Sequence, residues 1–337
     1  MTNALSKLLE SRPWLMADGA TGTNLFAMGL EAGEAPELWC VDKPDRIRAL
    51  HQGFVDAGSD IILTNSFGGT RARLKLHNAE ARAAELNRVA AELARACADR
   101  AGRPVIVAGS MGPTGELLEP VGTLTHAAAV EMFEEQARGL IEGGADVLWA
   151  ETIYSEEEMR AVSEAAANVG APFCATMSFD SAGRTMMGVT STGYADMART
   201  LPAPPIAFGA NCGVGAPDLV RTLLGLSKAA PDAVLIAKAN AGVPSYQNGI
   251  IVYSGTPETM ADYALLARDA GARIIGGCCG TKPEHLVAMR RALETTSPSG
   301  RRPSLEEVET RLGAFSSADD GASGAAAPAR ERRRRRG

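Results

Sequence analysis

Three features of the sequence predict an α/β fold built as a barrel of eight parallel strands ringed by helices, the (β/α)8 or TIM barrel. Eight short apolar runs alternate with Ala-, Glu-, Leu- and Arg-rich stretches of helical spacing, and that alternation implies a parallel sheet. Several helical stretches end in glycine just before an apolar run, where a left-handed C-terminal cap belongs. A polar or thiol side chain directly follows nearly every run, and strand C-termini are where barrel enzymes carry their working residues.

Taken in order, the first strand is expected at Trp14–Ala17. The second, Asp60–Leu63, follows a helical stretch ending Val55-Asp56-Ala57-Gly58. A helix over Ala79–Ala101 leads to the third strand, Val105–Ala108. Another over Ala127–Gly143, closing on Ile141-Glu142-Gly143-Gly144, leads to the fourth, Asp146–Ala150. The fifth, sixth and seventh strands are expected at Pro172–Ser178, Ile206–Ala210 and Val234–Ala237. Leu266-Ala267-Arg268-Asp269-Ala270-Gly271 closes the helix before the eighth, Ala272–Ile275. An open doubly wound sheet is the competing architecture, and it usually shows G-x-G-x-x-G after its first strand. Gly19-Ala20-Thr21-Gly22-Thr23 lacks that spacing.

Near residue 296 the composition changes. Thr296–Pro303 is rich in Ser, Pro, Gly and Arg, Leu305–Leu312 reads as one short helix, and Ser316–Gly337 is low-complexity sequence ending in arginines. The division is therefore a barrel over residues 1–295 and an appended short helix with an Arg-rich, disordered tail over 296–337.

Composition narrows the function classes. The 337 residues are 45% hydrophobic and 22% charged, too apolar for a chain disordered throughout. No apolar stretch reaches the roughly 18 residues that span a bilayer, and residues 1–17 lack the long apolar core of a secretory signal. Of the net charge of −6, the six Arg and one Glu at 330–336 carry +5, so the remainder carries −11. An acidic body argues against nucleic-acid binding by the barrel; the tail reads as a solvated end. Six cysteines in a chain of this length suit a reducing, cytoplasmic setting, where cysteine clusters indicate metal or catalysis.

Cysteines are the sharpest feature. Cys212 follows the sixth predicted strand, and Cys278 and Cys279 follow the eighth, so all three would share one rim of the barrel. Three thiolates can hold Zn²⁺ and leave one tetrahedral position open. Spacing alone leaves other readings: small buried apolar residues, or a vicinal disulfide. Cys97 and Cys174 read as core, and Cys40 has no assigned role. A Zn(Cys)3 site carries net −1 and acidifies water poorly, but suits binding a thiol substrate as its thiolate. The chemistry indicated is alkyl transfer to sulfur.

Other strand-end residues fit an amino-acid substrate. Asp18 and Glu151 could each bind a cationic α-amino group; a helix cap and a surface salt bridge are their structural alternatives. Gly19-Ala20-Thr21-Gly22 can bring backbone N–H groups to a carboxylate. Lys238 ends the seventh strand, where it could form a Schiff base in an aldolase or serve as a structural ion pair. The four histidines form no metal-binding pattern.

These residues resemble the homocysteine S-methyltransferase family. The resemblance is carried by Asp18-Gly19-Ala20-Thr21-Gly22-Thr23, Thr64-Asn65-Ser66-Phe67, Gly109-Ser110-Met111-Gly112-Pro113, Glu151-Thr152, Gly209-Ala210-Asn211-Cys212-Gly213 and Gly276-Gly277-Cys278-Cys279-Gly280-Thr281. It extends over roughly residues 10–295 and implies a (β/α)8 barrel. The resemblance implies zinc held by Cys212, Cys278 and Cys279. It implies homocysteine held through its amino group by Asp18 and Glu151 and through its carboxylate by the backbone of Ala20 and Thr21, with Asn211 in the same substrate site. Asn240 would approach the metal when homocysteine is absent.

Members of the family take the methyl group from glycine betaine, S-methylmethionine, S-adenosylmethionine or a corrinoid on a partner. Pro36-Glu37-Leu38-Trp39-Cys40, Arg46-Ile47-Arg48-Ala49-Leu50-His51 and Thr185-Met186-Met187-Gly188 look most like short bacterial betaine–homocysteine methyltransferases. A quaternary ammonium donor should sit against aromatic faces, and Phe26, Trp39, Phe67 and Tyr154 are the candidates. The expected function is methionine synthesis from homocysteine with small-molecule substrates, in the cytoplasm, with a homo-oligomer compatible with the reading. The alternatives are the same acceptor chemistry with a sulfonium donor, or an acceptor module serving a separate corrinoid protein.

Overall fold

The computed structural model describes residues 3–247 and 250–318. Eight parallel strands form the barrel: β1 (Leu15–Met16), β2 (Ile61–Leu63), β3 (Ile106–Met111), β4 (Val147–Ile153), β5 (Phe173–Met177), β6 (Ala207–Cys212), β7 (Leu235–Ala239) and, after an antiparallel hairpin of β8 (Pro244–Gln247) and β9 (Ile250–Tyr253), β10 (Ala272–Gly277). They run side by side in the order β1-β10-β7-β6-β5-β4-β3-β2. A parallel bridge between Ala17 and Ile61 joins the two ends, with Asp60 N–H donating to Met16 O at 2.7 Å. All eight expected barrel strands are present, each within a few residues of its predicted bounds. The hairpin was not anticipated. The Arg-rich end lies outside the described residues.

Strand periodicity divides the core in two. Side chains two apart share a face. Leu15 and Ala17, Ile61 and Leu63, Ile106 and Ala108, Val147 and Trp149, Cys174, Ala207, Ile236 and Ile274 pack together inside the barrel. Their alternates, such as Met16, Ile62, Val107, Leu148, Phe173, Phe208 and Leu235, join the helices in the outer core. Leu5, Leu8 and Leu9 of the helix Ala4–Ser11 belong to the inner cluster, so that helix plugs the N-terminal end of the barrel. At this end Asp60, fully buried, accepts from Met16 N–H at 2.9 Å and pairs with Arg12 at 2.6 Å. With this floor filled, the cavity that reaches the strand C-termini lies at the opposite end of the barrel.

Helix ends follow the expected chemistry. Gly58, Gly144 and Gly271 adopt left-handed φ values of 97°, 98° and 113° before β2, β4 and β10. Thr125, Ser155, Thr190 and Thr256 cap helix N-termini through their hydroxyls, satisfying otherwise orphaned N–H groups. The helix Leu305–Leu312 forms as expected, and Val308 is completely buried against the barrel helices. Ser316 lies in the stretch expected to be disordered, yet its N–H and hydroxyl both reach Asp218 at 3.0 Å. Among the described residues no helix is long and apolar enough to cross a membrane.

Candidate active site

The inward-facing positions turn polar one step beyond the inner apolar layer. Two residues past Ala108, Trp149 and Ile236 come Ser110, Glu151 and Lys238. The same count past Gly276 gives Cys278. These side chains line a cavity of about 560 Å³, together with Cys212, Cys279, Gly19–Thr23, Phe26, Phe67, Arg73 and Tyr253.

Cys212, Cys278 and Cys279 do converge: their sulfurs all lie within 4.8 Å of one another. Cys212 is placed by a left-handed backbone, φ 59°, an uncommon conformation for a non-glycine residue that clusters at functional sites. Its partners are fixed from β7 and the segment just after it, since Cys278 N–H donates to Ala239 O at 2.7 Å and Ala241 N–H donates to Cys279 O at 2.9 Å. Hydrogen bonding with Cys278 pushes the Cys212 thiol up to about 12, and hydrogen bonding with Cys212 pushes Cys279 up to about 11. Three packed thiols thus resist ionising together without a cation. Tetrahedral zinc with Zn–S near 2.3 Å needs sulfurs about 3.8 Å apart, within reach of this arrangement. Asn240 fits the same group: it donates to Gly213 O at 2.8 Å and hydrogen-bonds Cys212, while its Oδ1 is buried without a partner. Cys97 and Cys174 are fully buried, in line with core roles, and Cys40 is buried against Asn65.

Asp18, Glu151 and Lys238 form one charged cluster. Lys238 Nζ donates to Asp18 Oδ1 at 2.5 Å, and Leu63 N–H donates to Asp18 Oδ2 at 2.7 Å. Asp18 is completely buried. Glu151 accepts a short hydrogen bond from Ser110 Oγ; burial raises its pKa, countered by Lys238. Burial pulls Lys238 down, but Asp18 and Glu151 outweigh it and hold its pKa above the ordinary lysine value. A Schiff-base lysine needs the opposite shift, so the ion-pair reading of Lys238 holds.

Asn211, 1% exposed, braces the wall beside Glu151. Its Oδ1 accepts from Thr152 N–H at 2.8 Å and its Nδ2 donates to Thr152 Oγ1 at 2.7 Å. Thr152 is itself left-handed, φ 61°. Ala20 N–H donates to Thr281 O at 3.1 Å, and Thr21 lines the cavity beside it.

The four aromatic candidates part company. Phe26 and Phe67 line the cavity, with Phe26 about half exposed at its mouth. Trp39 is buried, with Lys43 Nζ 4.1 Å from its ring centre. Tyr154 borders a separate small pocket with Leu117, Val121 and Met187. Sequence reasoning missed Tyr253, whose hydroxyl hydrogen-bonds Cys279, and the charged outer wall of Glu37, Arg73 and His77. The Asn-Gly dipeptide at 248–249, between two β-prone stretches, is a hairpin signal that could have found Tyr253.

Among solved structures, the metallated form of the homocysteine methyltransferase MmuM from Escherichia coli aligns with a TM-score of 0.73 and 25% identity, over 86% of this chain and 99% of that one. Its oxidised form aligns at 0.72 and 26% identity, over the same shares. A methyltransferase from Methanosarcina mazei, at 13% identity and a TM-score of 0.51 over 87% of this chain and 98% of that one, shares the fold. The family model for homocysteine S-methyltransferase matches residues 15–293. The chain therefore belongs to the homocysteine S-methyltransferase family and is a methyltransferase with homocysteine as its acceptor.

Proposed function

We propose that this enzyme makes methionine by transferring a methyl group from glycine betaine to the thiol of homocysteine, using zinc held by Cys212, Cys278 and Cys279. The observation that carries the reading is the convergence of three sulfurs within 4.8 Å on the floor of a cavity that also presents Glu151. Bound zinc would hold the acceptor sulfur as a nucleophilic thiolate near neutral pH. Glu151 receives the α-ammonium of homocysteine, and Ser110 holds Glu151 in place. Asn211 fixes the irregular end of β4 at Glu151–Thr152 so that this carboxylate stays aimed at the cavity. Thr21 and its neighbours close the wall beside the bound amino acid. Asn240 and Tyr253, each bonded to one of the cysteines, orient the sulfur ligands.

Phe26 and Phe67 supply the aromatic faces that favour a quaternary ammonium donor. The Arg73 guanidinium, on the same wall, suits the donor's carboxylate. With donor methyl and acceptor sulfur in line, direct displacement at carbon forms the new S–C bond as the N–C bond breaks, giving dimethylglycine and methionine. Holding both reactants in one cavity supplies much of the rate. Residues 1–295 are the homocysteine-binding unit in this reading, 296–337 an appended segment, and the enzyme works in the cytoplasm.

The test is methionine formation by zinc-loaded protein from homocysteine, with glycine betaine, S-methylmethionine or S-adenosylmethionine as sole donor. Turnover with betaine above that with either sulfonium supports the proposal. Turnover with a sulfonium alone keeps the acceptor site and overturns the donor. Silence with all three, with homocysteine still bound, points to a corrinoid partner.

A further inference from the structure

We infer that Glu37 is the counter-charge for the onium centre of the methyl donor and that, with Arg73 for the donor's carboxylate, it makes the outer wall of the cavity selective for zwitterionic donors; this rests on the reading that the donor is a betaine.

Glu37 is a buried carboxylate that the acceptor chemistry does not use. It belongs to the short helix Pro36–Leu38, is 5% exposed and lines the cavity. Gly68 N–H donates to its Oε1 at 2.6 Å, which sets the carboxylate against the backbone next to Phe67. Phe67 is itself fixed: Gly112 N–H donates to Phe67 O at 3.0 Å, and a Cβ at Gly112 would stand 2.6 Å from the Phe67 ring. The groups bonded to Glu37 are backbone N–H donors, that of Gly68 and its own. Arg73, His77 and the Cys40 thiol face it, and among the described residues none of them is ion-paired or hydrogen-bonded with it. Burial raises its pKa, while Arg73 and His77 pull it down. Burying a charge without a partner is costly, and a bound cation supplies the partner.

Arg73 is the matching cation. It lines the same wall, half-buried. Glu37, Glu158 and Tyr154 act on it electrostatically, but no hydrogen bond or ion pair of its guanidinium is found among the described residues. Gly115, at φ 81°, leaves it room: a Cβ there would come within 2.9 Å of Nη1. The wall thus presents one buried anion and one cation, neither bonded to another side chain, together with the rings of Phe26 and Phe67. Glu34, the other carboxylate on this wall, is exposed at the mouth, where water weakens its pull. Glu151 is occupied by the acceptor. A small donor with an onium centre and a carboxylate satisfies both wall charges, and a donor with only one of them leaves the other unmatched. A sulfonium amino acid brings a further ammonium, for which the outer wall has no second buried carboxylate.

Three compounds separate the two charges: glycine betaine, read by its KM in methionine formation; 3,3-dimethylbutanoate, its carbon isostere without the positive charge; and choline, which has the cation and no carboxylate. The last two are measured as inhibitors competing with betaine, in the full-length zinc-loaded protein and its Glu37→Gln and Arg73→Gln variants. Glu37→Gln keeps an acceptor for Gly68 N–H and removes the charge. It should weaken betaine and choline by about tenfold or more, and leave 3,3-dimethylbutanoate within about twofold or bind it tighter. Arg73→Gln should weaken betaine and 3,3-dimethylbutanoate and not choline. The positive charge on nitrogen fades as the methyl group leaves, so Glu37 holds the bound donor more than the transition state, and the loss should fall on KM rather than on kcat. An equal change for betaine and its carbon isostere in Glu37→Gln, or a loss confined to kcat, overturns the inference and leaves Glu37 a brace for Gly68. Should Glu37→Gln fail to fold, Glu37→Asp withdraws the charge by one methylene and carries the same comparison. A wild-type protein that makes no methionine from betaine fails the donor reading itself, and the inference with it.

Discussion

Removing the Asn211 amide tests how firmly the floor of the cavity is built. Asn211 makes two good hydrogen bonds to Thr152, at 2.8 and 2.7 Å, and a long one to Cys278 Sγ at 3.8 Å. A neutral hydrogen bond contributes about 1 kcal/mol net, so the two short bonds are worth about 2 kcal/mol in Asn211→Ala. The buried space left by the deleted amide adds about 1 kcal/mol, for a total loss of about 3 kcal/mol. Asn211→Asp keeps an acceptor for Thr152 N–H and loses the donor, so it should cost about 1–2 kcal/mol. It also sets a negative charge beside the Cys278 sulfur, which should weaken metal retention more than Asn211→Ala does. Urea unfolding gives the stability change, and homocysteine titration gives the functional one. Glu151 directly precedes Thr152, so homocysteine affinity should fall in both variants. A stability loss under about 0.5 kcal/mol in Asn211→Ala, the range of ordinary surface changes, with homocysteine affinity unchanged, would refute the bracing role.

Three further predictions follow from the same geometry. Cys212→Ala, Cys278→Ala and Cys279→Ala should each abolish tight zinc binding and methionine formation, read by metal analysis and product assay; a variant that keeps both removes that residue from the ligand set. His51 is buried with neither ring nitrogen bonded, and burial lowers its pKa to about 4. The unfolded chain takes up this proton at the ordinary 6.5 and the folded chain only near 4, so stability falls as pH drops through that window, by about 3 kcal/mol. His51→Leu should lose this component, and parallel pH–stability curves for the two proteins would contradict the assignment. Gly209→Ala should prevent folding or cost several kcal/mol, because a Cβ there would overlap the Ile236 backbone; near-native unfolding by urea would count against that packing.

Much of this was legible because barrel strands are short continuous apolar runs between helices of strong periodicity. Ile61–Leu63 and Leu235–Ala239 stand out for that reason. The β8–β9 hairpin was overlooked because its short, mixed polar and apolar sequence interrupts the βα alternation. In the site, the cysteines were legible because strand ends in a barrel converge on one rim, and period-two alternation brings Glu151, Ser110 and Lys238 to the same layer. The partner of Lys238 was not legible. Asp18 lies 220 positions away, and only the closure of β1 beside β10 brings the two together. Trp39 misled for a related reason: a loop aromatic reads as available, but its burial is decided by how the short helix Trp39–Asp42 packs on the outer core.

In the proposed reaction, homocysteine sulfur meets a metal held by Cys212, Cys278 and Cys279. Cobalt(II) substituted for zinc reports this directly through sulfur-to-metal absorption. One metal per chain is expected, with thiolate absorption that is lost in Cys278→Ala. A further gain of that absorption is expected when homocysteine is added. A protein that forms methionine while its cobalt spectrum is unchanged by homocysteine would contradict that contact of sulfur with metal.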